Sequence, residues 1–370
     1  MLTWTLLAIG GLTLATVADE AQQVRIVSPE VHPDRKVTFR FRAPNALKVS
    51  VGVEGKPNVD LTKGENGVWS GTTEVLEPDI YGYNFTVDGV TALDPLNTAV
   101  KSNYIWPGNM VTVPGETPEV WEVQDVPKGE LHRHFFKSKV VGDHREAFVY
   151  TPPGYAQSGS AKYPVLYLLH GYSDGADGWT TVGKAHVILD NLIAQKKAKP
   201  MIVVMTLGYG VKLESMFGDG PRIPNVFQRS YEGFREVLYT EVMPMVEEGY
   251  RVHTNRENRA IAGLSMGGAQ TLFFGLNAMD KFGAVGAFSS GGFQGSPESQ
   301  FPNFDASKAN ALKPLYVACG TGDGLISFHR TFVKWLDEKG VKSVNKETPG
   351  GHVWPLWRRY LAEFAGMLFP

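Results

Sequence analysis

Five short runs leave the second half of this chain little choice of fold. They are "YPVLYLLHG" (163–171), "PMIVVMTLG" (200–208), "RAIAGL" (259–264), "GAVGAFS" (283–289) and "LKPLYVACG" (312–320), and apolar or small residues dominate each of them. A strand of this kind has no polar face to turn to water, so both faces must be covered, as in a parallel sheet. Helical spacing falls between and after the runs. In "GKAHVILDNLIAQKKA" (183–198) it sets Val187, Leu189, Leu192 and Ile193 toward the interior. A second amphipathic helix is expected over 233–250, kinked or split at Pro244, which has no N–H to give. Further helices are expected near 329–340 and 357–369. Strands alternating with helices predict a mostly parallel sheet with helices on both sides.

Before residue 114 the pattern is different. "KVTFRFRAP" alternates Val37, Phe39 and Phe41 with Thr38, Arg40 and Arg42. "KVSVGVEG" alternates Val49, Val51 and Val53, and "IYGYNFTVDGV" sets Tyr81, Tyr83, Phe85 and Val87 on one face before a turn at Asp88-Gly89. Short alternating strands with no helix between them predict an immunoglobulin-like β-sandwich over 24–113. Prolines and acidic residues then mark 114–130 as a linker, which leaves 131–370 as the α/β part. Trp69, Tyr81 and Tyr83 could stack on sugar rings, but Tyr81 and Tyr83 share the parity of Phe85, which favours the sandwich core.

Composition excludes several classes of function. Lys and Arg number 36 against 38 Asp and Glu, with no basic run, so no nucleic-acid partner is expected. The single cysteine, Cys319, cannot make an internal disulfide, and neither C-x-x-C nor H-E-x-x-H occurs. His132 and His134 alternate as on one strand face and are read as solvated rather than as a metal pair. An apolar run over residues 6–17, with a small-residue end at Thr16-Val17-Ala18, reads as a signal peptide over 1–18, although no Lys or Arg precedes the run. The run is short for a membrane span, which needs about 20 apolar residues. The expectation is therefore a secreted or periplasmic bacterial protein with no stable membrane insertion after signal removal.

"AIAGLSMGGAQT" (260–271) places Ser265 in a G-x-S-x-G pattern where a buried strand ends and a helix begins. Such a turn lifts one hydroxyl above a sheet as a nucleophile. A serine nucleophile needs a base, and the base needs a third group to fix its tautomer and balance its charge. In chain order Ser, acid, His, the loops after later strands supply Asp323, in "CGTGDGLISFHR", and His352, in "SVNKETPGGHVWPLW". Asp305 is the alternative acid, and His329 and His253 are the alternative bases. An anion forming on the substrate carbonyl needs N–H donors. Met266, which follows the nucleophile, and Tyr172, in "LLHGYSDGADGW", are the candidates. His170 is read as a structural support of that loop.

"YPVLYLLHGYSDGADGW", "ILDNLIAQKKAKPMIVVM", "GLSMGG", "CGTGD" and "GGHVWPLW" together resemble the esterase D-related feruloyl and acetylxylan esterases of carbohydrate esterase family one, over residues 131–370. Enterochelin esterases and mycolyltransferases are more distant relatives. The first part, with "GVWSGTTEVLEPDIYGYNFTVDG" and "LDPLN", resembles the early-set, glycogen-binding-type sandwich that precedes such domains. The resemblance implies an α/β-hydrolase with Ser265, Asp323 and His352 as triad and Tyr172 and Met266 as oxyanion donors, working without a cofactor. It implies a feruloylated or acetylated polysaccharide or oligosaccharide as substrate. A siderophore ester, acyl transfer to an alcohol, and a carbohydrate-binding protein with an inert hydrolase part are the alternatives.

Overall fold

The computed structural model describes residues 26–291 and 295–370; the expected signal peptide lies outside them. From Glu130 onward one eight-stranded sheet organises the chain. Its spatial order is Glu130–Lys137, His144–Thr151, Ile202–Thr206, Val165–Leu169, Arg259–Leu264, Ala284–Phe288, Leu315–Gly320, Val344–Thr348. The first two strands are antiparallel to their neighbours, and every later pairing is parallel. This is the α/β-hydrolase arrangement.

The period of two along each strand divides the interior into two cores. Leu166, Leu168, Val203, Met205, Ala260 and Ala262 face helices Ala185–Ala194 and Trp354–Met367. Val165, Tyr167, Ile202, Val204 and Ile261 face the opposite layer, built from helices Val226–Val237, Met243–Gly249, Met266–Asn277 and Ile326–Glu338. The helix expected over 233–250 starts earlier, at Val226. It widens into a π turn over Leu238–Val242 and restarts with Pro244 in the first turn. The backbone stays helical through the junction, with the Met243 N–H bonded to the Leu238 carbonyl, so the wider turn accommodates the proline's missing N–H without ending the helix.

The sandwich stacks two antiparallel sheets. One contains Val37–Arg42 and Val68–Thr72, and the other is centred on Val49–Val53, Asp79–Val87 and Gly108–Val113. Trp69, Tyr81 and Tyr83 lie in its core with Phe39, Val51 and Phe85, as the parity of Tyr81 and Tyr83 indicated.

The 114–130 segment differs from a solvated linker. Trp121 is buried in the same core as the final helix, and Asn191 Nδ2 donates to the carbonyls of Val120 and Glu122, both at 2.8 Å. Sandwich and α/β part are also joined by ions. Asp79, at the start of a sandwich strand, accepts from Arg358 Nη2 at 2.6 Å and Nε at 3.2 Å, and from Arg359. Arg358 also donates to the carbonyls of Val182 and Ile80, so each of its three guanidinium nitrogens is hydrogen-bonded although the side chain is fully buried. Glu54 of the sandwich accepts the Trp354 N–H at 2.9 Å and the Gly82 N–H at 3.0 Å, capping the final helix.

Candidate active site

Every candidate residue lies beyond the carboxyl end of a parallel strand, the edge at which open α/β sheets bind ligands. Ser265 follows Arg259–Leu264 near the middle of the sheet. Its backbone sits at φ 52°, ψ −116°, a conformation that side-chain-bearing residues rarely adopt and that costs about 1–3 kcal/mol. The neighbouring glycines explain how the turn is built. A Cβ at Gly263 would stand 2.5 Å from the Gly267 carbonyl oxygen, and one at Gly267 would stand 2.5 Å from that of His170. Neither position admits a side chain, because strand and helix touch through bare backbone. Hydrogen bonds from Ser265 N–H to the Phe288 carbonyl and from Gly291 N–H to the Ser265 carbonyl, both 2.9 Å, hold the turn.

His352 reaches this hydroxyl from a different loop. Its Nε2 lies 2.9 Å from Ser265 Oγ, and its Nδ1 lies 2.8 Å from Asp323 Oδ2. The carboxylate can only accept, so Nδ1 carries the proton and Nε2 is left to accept from the serine hydroxyl. The two loops meet through bare backbone as well: Gly322 N–H donates to the Gly350 carbonyl at 2.8 Å, and a Cβ at Gly320 would stand 2.4 Å from that oxygen. Burial alone would raise the Asp323 pKa. The hydrogen bond and charge of His352, with the Leu325 N–H at 2.9 Å, outweigh it and hold the carboxyl below its usual value. The alternatives fall elsewhere. Asp305 caps a short helix by accepting from the Ser307 and Lys308 N–H groups, His329 pairs with Asn345 at 2.8 Å, and His253 is exposed.

The third element is the loop after Val165–Leu169. It runs against the candidate nucleophile: a Cβ at Gly171 would come within 3.5 Å of Ser265 Cβ. Tyr172 follows directly, and Met266 opens the helix behind Ser265, where first-turn N–H groups have no intrahelical acceptor. His170 braces the loop from beneath. Its Nδ1 bonds the Gly171 carbonyl and its Nε2 accepts the Gly208 N–H, both at 2.8 Å, and burial pushes its pKa down to about 4. It is therefore neutral and fully bonded, in the structural role expected of it.

Residues 138–367 match the family model Esterase. The chain belongs to the Esterase family. A relative from Xylanibacter ruminicola named endo-1,4-beta-xylanase/feruloyl esterase is 33% identical over 349 residues, 92% of this chain and 46% of that protein. The chain thus spans about half the length of that relative. A ferulic acid esterase from Anaeromyces mucronatus, solved in complex with ferulic acid, is 26% identical with a TM-score of 0.58, over 68% of this chain and 96% of that one. The enterochelin esterase of Shigella flexneri shares the fold over 90% of this chain and 91% of its own, at 16% identity and a TM-score of 0.69.

Sequence reasoning missed the carboxyl group beneath this Esterase-family loop. Asp174 is buried, accepts from Asn103 Nδ2 of the sandwich at 2.9 Å, and has its pKa pushed up to about 7, chiefly by burial, with Lys101 acting against the shift. The only signal was an acid among small residues in "GYSDGADG". A stability consequence follows from linkage. An unfolded aspartate ionises near pH 3.9 while the folded one keeps its proton toward pH 7, so folding binds protons and stability falls as pH rises across that window. Asp174→Asn keeps the acceptor for Asn103 and removes the titration. The melting temperature of the variant relative to the parent should climb from pH 4 to pH 7.5, by the equivalent of roughly 3–4 kcal/mol, and then level off. A difference that stays flat with pH would exclude Asp174 as the titrating group.

Proposed function

We propose that this chain is a serine carboxylesterase that releases hydroxycinnamoyl groups, ferulate above all, from plant cell-wall polysaccharide or its fragments. The hydrogen-bonded chain Ser265–His352–Asp323 at the carboxyl edge of the sheet carries the reading. Ser265 Oγ attacks the ester carbonyl carbon while His352 Nε2 takes its proton. The oxyanion forms between the N–H groups of Met266 and Tyr172, and losing one such donor typically costs about 10²–10³ in rate. When the tetrahedral intermediate collapses, His352 returns the proton to the departing alcohol oxygen and leaves an acyl-serine. Water, deprotonated by His352, then attacks the acyl-serine, and the acid leaves as the serine regains its proton. Asp323 keeps Nδ1 protonated and balances the imidazolium. No metal or organic cofactor enters these steps.

The acyl group is inferred from the relatives: the 33% identical Xylanibacter protein and the Anaeromyces enzyme are both named for ferulate. Among the described residues no helix is long and apolar enough to cross a membrane. An export signal over 1–18, read from sequence, would bring the enzyme to a polymeric substrate outside the cytoplasm. The reading is tested by kcat/KM on methyl ferulate, methyl sinapate, 4-nitrophenyl acetate and acetylated xylan. Methyl ferulate is expected to exceed methyl sinapate and acetylated xylan. Turnover of acetylated xylan with none of methyl ferulate would replace the hydroxycinnamoyl assignment with a deacetylase.

A further inference from the structure

The sandwich reaches the catalytic loops through the segment 102–106, and what it brings there is aromatic. Ser102 Oγ donates to Asp177 Oδ2 at 2.6 Å, Asn103 Nδ2 to Asp174 Oδ1 at 2.9 Å, and Tyr104 N–H to the Ser173 carbonyl at 2.8 Å. Asn103 Oδ1 in turn accepts the N–H groups of Ile105 and Trp106, at 3.0 and 2.7 Å, which locks the segment's own turn. The whole 173–177 stretch, next to the candidate oxyanion donor Tyr172, is thus tied to this sandwich segment.

The Tyr104 ring then continues a row of aromatics. It stacks on Phe217 with centroids 5.2 Å apart and planes at 15°. Phe217 lies 5.2 Å from Tyr172, and Tyr172 lies 5.5 Å from Phe227. Behind the row, Tyr209, Leu207 and Met266 form the buried cluster against which Tyr172 and Phe217 pack, so the row stands directly on the residue that follows the nucleophile. Its two ends are open to solvent: Tyr104 is 45% exposed and Phe227 50%. Large aromatic faces left in water beside a nucleophile mark a surface kept for a ligand.

The mechanism decides which half of the ester meets them. His352 Nε2 must reach the departing oxygen, so the alcohol half leaves on the imidazole side. The acyl half extends away from it, along the loop that carries Tyr172. We propose that Tyr104, supplied by the sandwich, is a specificity-determining residue of the esterase: with Phe217, Tyr172 and Phe227 it forms an aromatic wall that receives the planar aryl ring of the acyl group. The inference rests on the ester-hydrolase reading above. It makes the sandwich part of the acyl site rather than only its neighbour.

The test compares two esters with one leaving group, 4-nitrophenyl ferulate and 4-nitrophenyl acetate, in the full chain. The readout is the ratio of their kcat/KM values, which does not depend on how much of a preparation is correctly folded. Tyr104→Ala is expected to lower the ferulate-to-acetate ratio about tenfold, mostly through KM, as expected for loss of one aromatic contact. Tyr104→Phe should restore it. Phe227→Ala, at an exposed helix position, should lower it as well, and it keeps the test open if Tyr104→Ala is too unstable to study. A ratio unchanged in both alanine variants overturns the proposal, even if both absolute rates fall. Failure of the underlying reading is distinct: the parent enzyme itself would then turn over neither ester.

Discussion

Ser265→Ala is expected to lower kcat about 10⁶-fold, the usual consequence of removing the nucleophile of a serine triad. The fold should survive, because the only side-chain partner found for Ser265 Oγ among the described residues is His352. A second substitution separates chemistry from structure. Alanine inherits the strained backbone at φ 52°, ψ −116°, whereas glycine tolerates it. Ser265→Gly should therefore be equally inactive yet more stable than Ser265→Ala, by about 1 kcal/mol. Active-site titration with a serine-reactive phosphonate and thermal melting of both variants give the two readouts. Labelling at a residue other than Ser265, or turnover within tenfold of the parent in either variant, would remove Ser265 from the role of nucleophile.

Asp79→Ala is expected to cost about 3–5 kcal/mol of stability, because it strands a charge away from water. Arg358 is fully buried, and among the described residues its only carboxylate partner is Asp79. The carbonyls of Val182 and Ile80 would remain, but they cannot neutralise a guanidinium. Arg359, 40% exposed, can turn to water and should suffer less. Urea unfolding at neutral pH measures the difference. A change below about 1 kcal/mol would mean that water reaches Arg358 once the carboxylate is gone. The expected loss should also appear in activity, because helix Trp354–Met367, which carries Arg358, begins two residues after His352.

These two experiments probe residues of different legibility. Ser265, Asp323 and His352 could be read because each lies in a local pattern that physical chemistry makes nearly compulsory. A nucleophile turn needs glycines where strand and helix touch, and the loops of acid and base need glycines where they touch each other. The alternating strands of the sandwich, and the burial of Tyr81 and Tyr83, followed from a period of two. The helix around Pro244 was legible only in part: a proline shows that the ladder must break, but not that a π turn will absorb the break upstream. The 114–130 segment misled for the opposite reason. Its prolines and acids describe its backbone, whereas Trp121, packed beneath the final helix, decides where it lies.

Local pattern determined the two-part architecture, the order of strands and helices, and which loops carry the candidate catalytic residues. Only the tertiary structure decided how the two parts meet. Asp79 and Arg358 are 279 residues apart, and Glu54 caps a helix 300 residues further on. Nothing local names such partners, although an arginine in the buried register of "WPLWRRYLAEF" signals that a counter-charge must exist somewhere. Asn103 and Tyr104 look like ordinary loop residues until the sandwich is seated on the catalytic loops. The physical reason is the same in each case. Periodicity and turn chemistry report what a residue needs from its nearest neighbours along the chain. A buried charge or an aromatic wall is completed by whatever surface packing brings against it.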